Sequence, residues 1–190
     1  TSYSKDFNNI WTTESKSPFL DQSISLTSQK RFTLSKISLG NITSFSYKYD
    51  NSFYTAQRTE YETYDEENDI ITYAFNYNDI RSKHAANLGL IHNWLLVYGN
   101  NQKIEFRNFY NNLGETSSSL REGDYTYASE TSKMTNLRFK QRSIYSGQLA
   151  GSNTAFNNNT SIDWLAGYSH TLNYEPDNRI IKYAHEIDSV

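Results

Sequence analysis

Leu88-Gly89-Leu90-Ile91-His92-Asn93-Trp94-Leu95-Leu96-Val97-Tyr98 runs into Gly99-Asn100-Asn101 and out through Gln102-Lys103-Ile104-Glu105-Phe106-Arg107-Asn108-Phe109-Tyr110. In an extended chain successive side chains point to opposite sides, so residues two apart share a face. Leu88, Leu90, Trp94, Leu96 and Tyr98 therefore line one face, opposite Asn87, Gly89 and Asn93. Ile91, Leu95 and Val97 fall on the polar side and make the first run less clean. In the second run Ile104, Phe106 and Tyr110 oppose Lys103, Glu105, Arg107 and Asn111. Gly and Asn tolerate the positive φ of a tight turn, so 86–98 and 103–112 read as a hairpin.

The same alternation recurs on both sides of this hairpin. Leu20, Ile24, Leu26 and Phe32 alternate with Asp21, Ser23, Ser25, Thr27, Gln29 and Arg31. In 36–49, Ile37, Leu39, Asn41, Thr43, Phe45, Tyr47 and Tyr49 oppose Ser38, Gly40, Ser44, Ser46 and Lys48. Leu137, Phe139, Tyr145 and Leu149 oppose Arg138, Lys140, Arg142, Ser146 and Gln148 within 135–151. Ile162, Trp164, Ala166, Tyr168, Leu172 and Tyr174 oppose Ser161, Asp163, Ser169, Thr171 and Asn173 within 161–174. Six strands are expected, with helical periodicity nearly absent. Short turns are expected at Thr33-Leu34-Ser35, Gly99-Asn100-Asn101 and Asn157-Asn158-Asn159, and long polar connections over 51–83 and 115–133.

Alternating short and long connections are what a transmembrane barrel has, tight on the periplasmic side and long outside. About ten tilted residues cross a bilayer, whereas soluble strands usually end near five or six. Several of these runs are longer than either. Tyr47, Tyr49, Trp94, Tyr98, Trp164 and Tyr174 lie near strand ends, where interfacial aromatic girdles belong. The expected fold is all-β, an antiparallel meander forming part of a large transmembrane β-barrel.

Composition agrees with that class. The chain has 190 residues with 16 Tyr and 10 Phe, and aromatics make up 15% of it, yet it is polar overall. Lipid-facing residues on one side only, with polar loops, produce that combination. A net charge of −3 gives no global reason to expect nucleic acid as a partner. Zero cysteines exclude a disulfide, a thiolate zinc site and a cysteine nucleophile. No apolar run approaches the ~18 residues of a membrane helix. Thr1-Ser2-Tyr3-Ser4-Lys5-Asp6 reads as mid-chain sequence without a signal peptide, so residues 1–190 are expected to be one partial barrel domain of a longer parent.

Three stretches carry a family resemblance. Gly89-Leu90-Ile91-His92-Asn93-Trp94, then Asn101-Gln102-Lys103-Ile104-Glu105-Phe106-Arg107-Asn108-Phe109-Tyr110-Asn111, resembles a barrel hairpin of TonB-dependent receptors. Ile162-Asp163-Trp164-Leu165-Ala166-Gly167-Tyr168-Ser169, ending in Asn173-Tyr174-Glu175-Pro176-Asp177, resembles a later strand of the same barrels leading into a loop. Tyr3-Ser4-Lys5-Asp6-Phe7 and Trp11 resemble the segment before an earlier strand. Order and spacing carry the resemblance over about residues 3–177. It implies a barrel of about 22 strands with an N-terminal plug, in the outer membrane of a Gram-negative bacterium. Such a receptor takes up a scarce ligand (a siderophore, glycan or peptide) with energy delivered through TonB. Its partners would be outer-membrane lipid, the remaining barrel strands, the TonB complex acting on a plug outside this chain, and an unknown small ligand. His92 and His170 depart from the pattern, since both fall on the face expected to meet lipid.

Chemistry-bearing residues are few. Arg138, Lys140 and Arg142 form a cationic row on one strand face, the candidate substrate-binding residues for an anionic ligand. The plainer reading is that barrel interiors are charged and that these cations pair with neighbouring acids. Glu60, Glu62, Asp65, Glu66, Glu67 and Asp69 supply oxygens for calcium but lack the EF-hand glycine. His84, His92, His170 and His185 show no metal spacing, and His185-Glu186 begins a zincin motif whose second His never comes. Asn41-Ile42-Thr43 is a sequon on a predicted strand. Gly147 and Gly151 form a GxxxG that means nothing on a strand. No catalytic constellation, metal site or cofactor is expected. Two alternatives stand beside the receptor: a soluble surface β-sandwich binding glycans, and a small membrane-anchored adhesin barrel.

Overall fold

The computed structural model describes residues 10–99, 101–155 and 160–186. These form one six-stranded antiparallel meander in the order β1-β2-β3-β4-β5-β6. The strands are β1 Gln22–Leu34, β2 Ile37–Asp65, β3 Ile70–Tyr98, β4 Gln102–Tyr125, β5 Glu130–Ala155 and β6 Thr160–Glu186. The helical content among the described residues is one 3-10 turn, Thr126–Ala128. No helix is long and apolar enough to cross a membrane. β1 and β6 leave the sheet open at both edges.

Two expectations need correction. The segments 51–83 and 115–133 are not long loops. β2 runs on to Asp65 and β3 starts at Ile70, so only 66–69 turn; β4 and β5 likewise approach to within 126–129. At ~3.3 Å per residue, the 29 residues of β3 extend about 95 Å, against about 40–45 Å for a whole bilayer. The polar segments are strands because their backbones pair, not because one face is apolar. The first turn lies at Ser35-Lys36, one to two residues later than expected, with Ser35 at φ 52°. Gly99 has φ 59° in the second turn. Asn100 and the whole turn Asn157-Asn158-Asn159 lie outside the described residues, as does the motif Tyr3-Ser4-Lys5-Asp6-Phe7.

Direct cross-strand partners share a face, and the ladder carries the alternation across the sheet without inversion. Leu26 pairs with Phe45, Phe45 with Leu90, Leu90 with Tyr110 and Tyr110 with Tyr145. Trp94 pairs with Phe106, Phe106 with Leu149 and Leu149 with Ala166. Leu39, Phe45, Leu90, Trp94, Phe106, Phe139, Trp164 and Tyr168 thus occupy one face, and Lys48, Arg107, Arg138, Lys140 and Arg142 the other. No second sheet or helix packs on the apolar face among the described residues. Ala74 is the one buried apolar residue among those described, and Phe106 is 45% exposed.

Polar groups within the apolar face satisfy one another. Trp94 Nε1–H donates to His92 Nε2 at 2.8 Å, so Nε2 is the acceptor and Nδ1 carries the ring proton. That Nδ1–H meets Thr43 Oγ1 at 2.9 Å, and Thr43 donates onward to Asn41 Oδ1 at 3.0 Å. Between β3 and β4 the amide of Asn108 reaches the Asn93 side chain at 2.9 Å, and the Asn108 side chain the His92 carbonyl at 3.0 Å. His92 on this face is therefore a closed network rather than an orphan.

Glycine is required where β4 passes β3 near its far end. Gly123 has φ 150°, and a Cβ there would sit 2.0 Å from the Asn76 carbonyl oxygen. Gly123→Ala should therefore force the two backbones apart. Hydrogen exchange of the parent protein should speed up over 75–79 and 119–125 and stay unchanged over 88–98, where nothing has moved.

Candidate functional site

The polar face gathers most of the charge, and its geometry is built by register. Arg138 sits on β5 opposite Asn178. Its guanidinium forks onto Glu175, Nε to Oε1 at 2.7 Å and Nη2 to Oε2 at 2.6 Å. A β-bulge makes that contact. Phe139 pairs with Asp177 and Gln141 with Tyr174, so Lys140 on β5 faces two residues of β6, Glu175 and Pro176. Pro176 has no N–H to give a ladder. The stretch expected to lead into a loop is instead a bulge within a continuing strand.

The remaining cations of the row divide. Lys48 pairs with Asp50 at 2.7 Å and Lys83 with Glu115 at 2.6 Å, while Arg107 and Lys103 both hold Glu105. Glu115 is the register partner of Lys140, but its carboxylate is committed to Lys83. Among the described residues Lys140 and Arg142 form no ion pair. Arg138 is thus paired across to β6, while Lys140, which faces Glu115 and Glu175, and Arg142 form no close ion pair.

A tighter cluster lies farther along the same face, and nothing in the local sequence announced it. Asp79 on β3 is wholly enclosed. Arg121, its direct partner on β4, grips it with two hydrogen bonds, Nε to Oδ1 at 2.7 Å and Nη2 to Oδ2 at 2.9 Å. Arg81 adds a third at 2.8 Å, and the Arg121 guanidinium lies 5.2 Å from the Tyr77 ring centroid. The Arg121 hydrogen bonds, helped by Arg81 and opposed by burial, bring the Asp79 carboxyl down to about 2 from 3.8. The signal was missed because Arg121 is 42 residues away in the chain and inside a segment read as a loop.

The acidic run folds onto itself. Asp65 accepts from the amides of Glu67 at 3.0 Å and Asn68 at 3.3 Å, and from the Asn68 side chain at 2.7 Å. These bonds, the Asn68 side chain foremost, hold its carboxyl below the usual range. Asp65 is therefore engaged as a turn former. Among the described residues no group of three or more acidic or histidine side chains has metal-binding geometry. His84 bonds Asn51 at 2.5 Å, while His170 is the register partner of Tyr145 and His185 of Thr131, so the four histidines do not converge. No protein-family model matches the chain, and no curated protein matches it.

Removing the Asp79 charge leaves two guanidiniums facing each other. Breaking a fully buried pair costs ~3–5 kcal/mol; because Arg81 is 40% exposed, Asp79→Asn should cost less, about 2 kcal/mol. It should loosen 76–82 and 118–124 in hydrogen exchange. With the folded carboxyl at about 2 and its usual value at 3.8, this contribution is complete above pH 3.8. It is lost as pH falls from 3.8 toward 2. Wild type should approach the exchange behaviour of Asp79→Asn over that interval, and equal protection of the two proteins at pH 6 would sink the assignment.

Proposed function

We propose that this chain is a segment of an outer-membrane β-barrel, and that the parent is a TonB-dependent receptor that imports a scarce small ligand. The observation that carries the reading is the coreless sheet. Six long strands expose one apolar face, hold most of their charges on the other, and leave both edges unpaired. Water makes such a face costly, at roughly 25 cal/mol per Å² left wet, and an acyl environment removes that cost. Only closure against further strands satisfies the edges in lipid. The crossing segments lie near the turns at 35–36 and 99–101, within the apolar stretches, and the long polar hairpins stand outside the outer leaflet as a wall around the mouth.

The TonB-dependent assignment rests on the resemblance of 89–111 and 162–177 to that family's hairpins. On this reading the polar face lines the lumen, and Arg138, Lys140 and Arg142 are lumen cations facing the plug and the ligand's path. Arg138 is positioned by Glu175, and Lys140 and Arg142 supply positive charge outside any close ion pair. A siderophore, glycan or peptide remains the ligand class, and transport requires the rest of the parent. The glycan-binding β-sandwich needs two sheets stacked about 10 Å apart, and no second sheet covers this one among the described residues.

Substitutions on adjacent positions separate the faces. An arginine on the lipid side near the midplane costs roughly 2–4 kcal/mol. Leu149→Arg should reduce the heat-modifiable, folded receptor recovered from outer membranes, and Gln148→Arg should leave it near wild type. Equal folded yields for the two variants would count against the face assignment. A monodisperse, detergent-free monomer of residues 1–190 with one cooperative melt would end the membrane reading altogether.

A further inference from the structure

The apolar face is not uniform. At the border between its apolar band and the polar extensions lies a depression of about 580 Å³. Ala86 and Gly114, direct partners on β3 and β4, form its floor because a methyl group and a hydrogen leave it unfilled. Tyr47, Tyr49 and Leu88 wall it toward the band, and Phe139 leans over Gly114 from β5. His84, Thr116, Asn112 and Gln141 line the rest, and no Lys, Arg, Asp or Glu is among the lining residues. Gln141 Nε2 donates to Asn112 Oδ1 at 3.1 Å, which leaves the Asn112 amide hydrogens and the Thr116 hydroxyl free to donate elsewhere.

The segment preceding β1 marks the outer border of this hollow. Asn51, in the same row as His84, Thr116 and Phe139, donates to the Phe19 carbonyl at 2.8 Å. Its amide also meets Asp21 at 2.8 Å. At the other end Arg179 on β6 bonds the Ile10 carbonyl and lies 5.9 Å from the Trp11 ring centroid. Residues 10–21 are therefore fastened to β2 and to β6 on this same face, on the polar side of the depression.

We propose that the depression is a binding niche for one outer-leaflet amphiphile, holding its uncharged linkage region (ester, amide or sugar hydroxyls) and the first part of an acyl chain. The inference rests on the lipid-facing reading of this face. Polarity selects the occupant. Leu88, Tyr47 and Tyr49 continue directly into the apolar band with Asn112 beside Leu88, while the Thr116 hydroxyl stands at the opposite end, across from His84, where a carbonyl or hydroxyl oxygen would sit. The lack of charge in the lining excludes a phosphate as the gripped group, and the volume is that of an ordinary small-molecule site. The four contributing strands are interior ones, so the niche needs no missing strand to complete it.

The test uses the full-length parent, purified from its own membrane in a mild non-ionic detergent, with retained lipids counted by native mass spectrometry. A Cβ on Gly114 would lie 3.9 Å from Phe139 Cε2, an ordinary contact, so the floor accepts a side chain without backbone strain. Gly114→Leu and Ala86→Leu should fill the niche and lower the lipid-bound fraction about tenfold, ~1.4 kcal/mol of affinity. Thr116→Val, which keeps volume and removes a donor, should lower it by a smaller factor and guards against misfolding of the filled variants. Ala166→Leu, on the same face inside the apolar band, should leave it unchanged. Equal retention by wild type, Gly114→Leu and Thr116→Val overturns the niche. Quenching of Trp94 and Trp164 by brominated acyl chains in phosphatidylethanolamine–phosphatidylglycerol vesicles tests the underlying reading separately. Quenching without lipid loss in the variants removes the niche alone, and absent quenching removes both.

Discussion

Backbone pairing between neighbouring strands is the interaction on which everything else in this molecule depends. A single-layer sheet has no interior, so no side-chain core exists to compensate a broken ladder. With Ala74 the one buried apolar side chain among the described residues, order comes from hydrogen bonds along strands of up to 29 residues and from cross-strand side-chain pairs. The ladder makes direct partners share a face, and this turns six weak sequence alternations into two coherent surfaces of opposite character. Where the ladder between β3 and β4 is interrupted near His92 and Asn93, the side chains of Asn93 and Asn108 replace the missing backbone bonds.

The two surfaces handle polar groups by different means. On the apolar face each hydrogen-bonding group in the Trp94–His92–Thr43–Asn41 chain finds its complement within the sheet, and Tyr145 likewise donates to Asn108 at 3.0 Å. An unsatisfied donor facing hydrocarbon would cost several kcal/mol. The other face neutralises charge by short ion pairs, Asp79 with two arginines most completely. Lys140 and Arg142 form no close ion pair among the described residues, and Glu115 and Glu175 beside Lys140 are held by Lys83 and Arg138.

The alternating apolar stretches were legible because a face that is not solvated must be written in the sequence at period two. The far halves of the strands were not legible. Around Thr55-Ala56-Gln57-Arg58-Thr59 and Ser117-Ser118-Ser119 both faces are polar, so no period exists to read, and what makes them strands is pairing over distance. The candidate site divides the same way. The common face of Arg138, Lys140 and Arg142 follows from their spacing alone. That Glu175 would hold Arg138 depended on a bulge whose presence Pro176 permits but does not dictate. Asp79 required Arg121 from another strand, and no local pattern links residues 42 apart.

Where the register slips is as telling as where it holds. A one-residue shift exchanges the two faces of every position beyond it, so a bulge inside the apolar band would place Arg or Lys where Leu and Trp belong. Between β2 and β3 the pairing is regular from Ile37 and Tyr98 as far as Glu60 and Phe75, and slips only between Glu60 and Thr63. Between β5 and β6 it is regular from Ala155 and Thr160 to Gln141 and Tyr174, and slips at once beyond. Both irregularities fall past the last row of the apolar band, where the two faces are alike in polarity and inversion costs little. β6 indeed changes phase there. Its even positions share the apolar face up to Tyr174, and its odd positions, Asp177 and Arg179, do so afterwards. Both bulges therefore lie outside the zone in which a face has to be kept, and the one between β5 and β6 falls at the rim of the Ala86–Gly114 depression, with Gln141 the last residue before the slip and Phe139 the first beyond it.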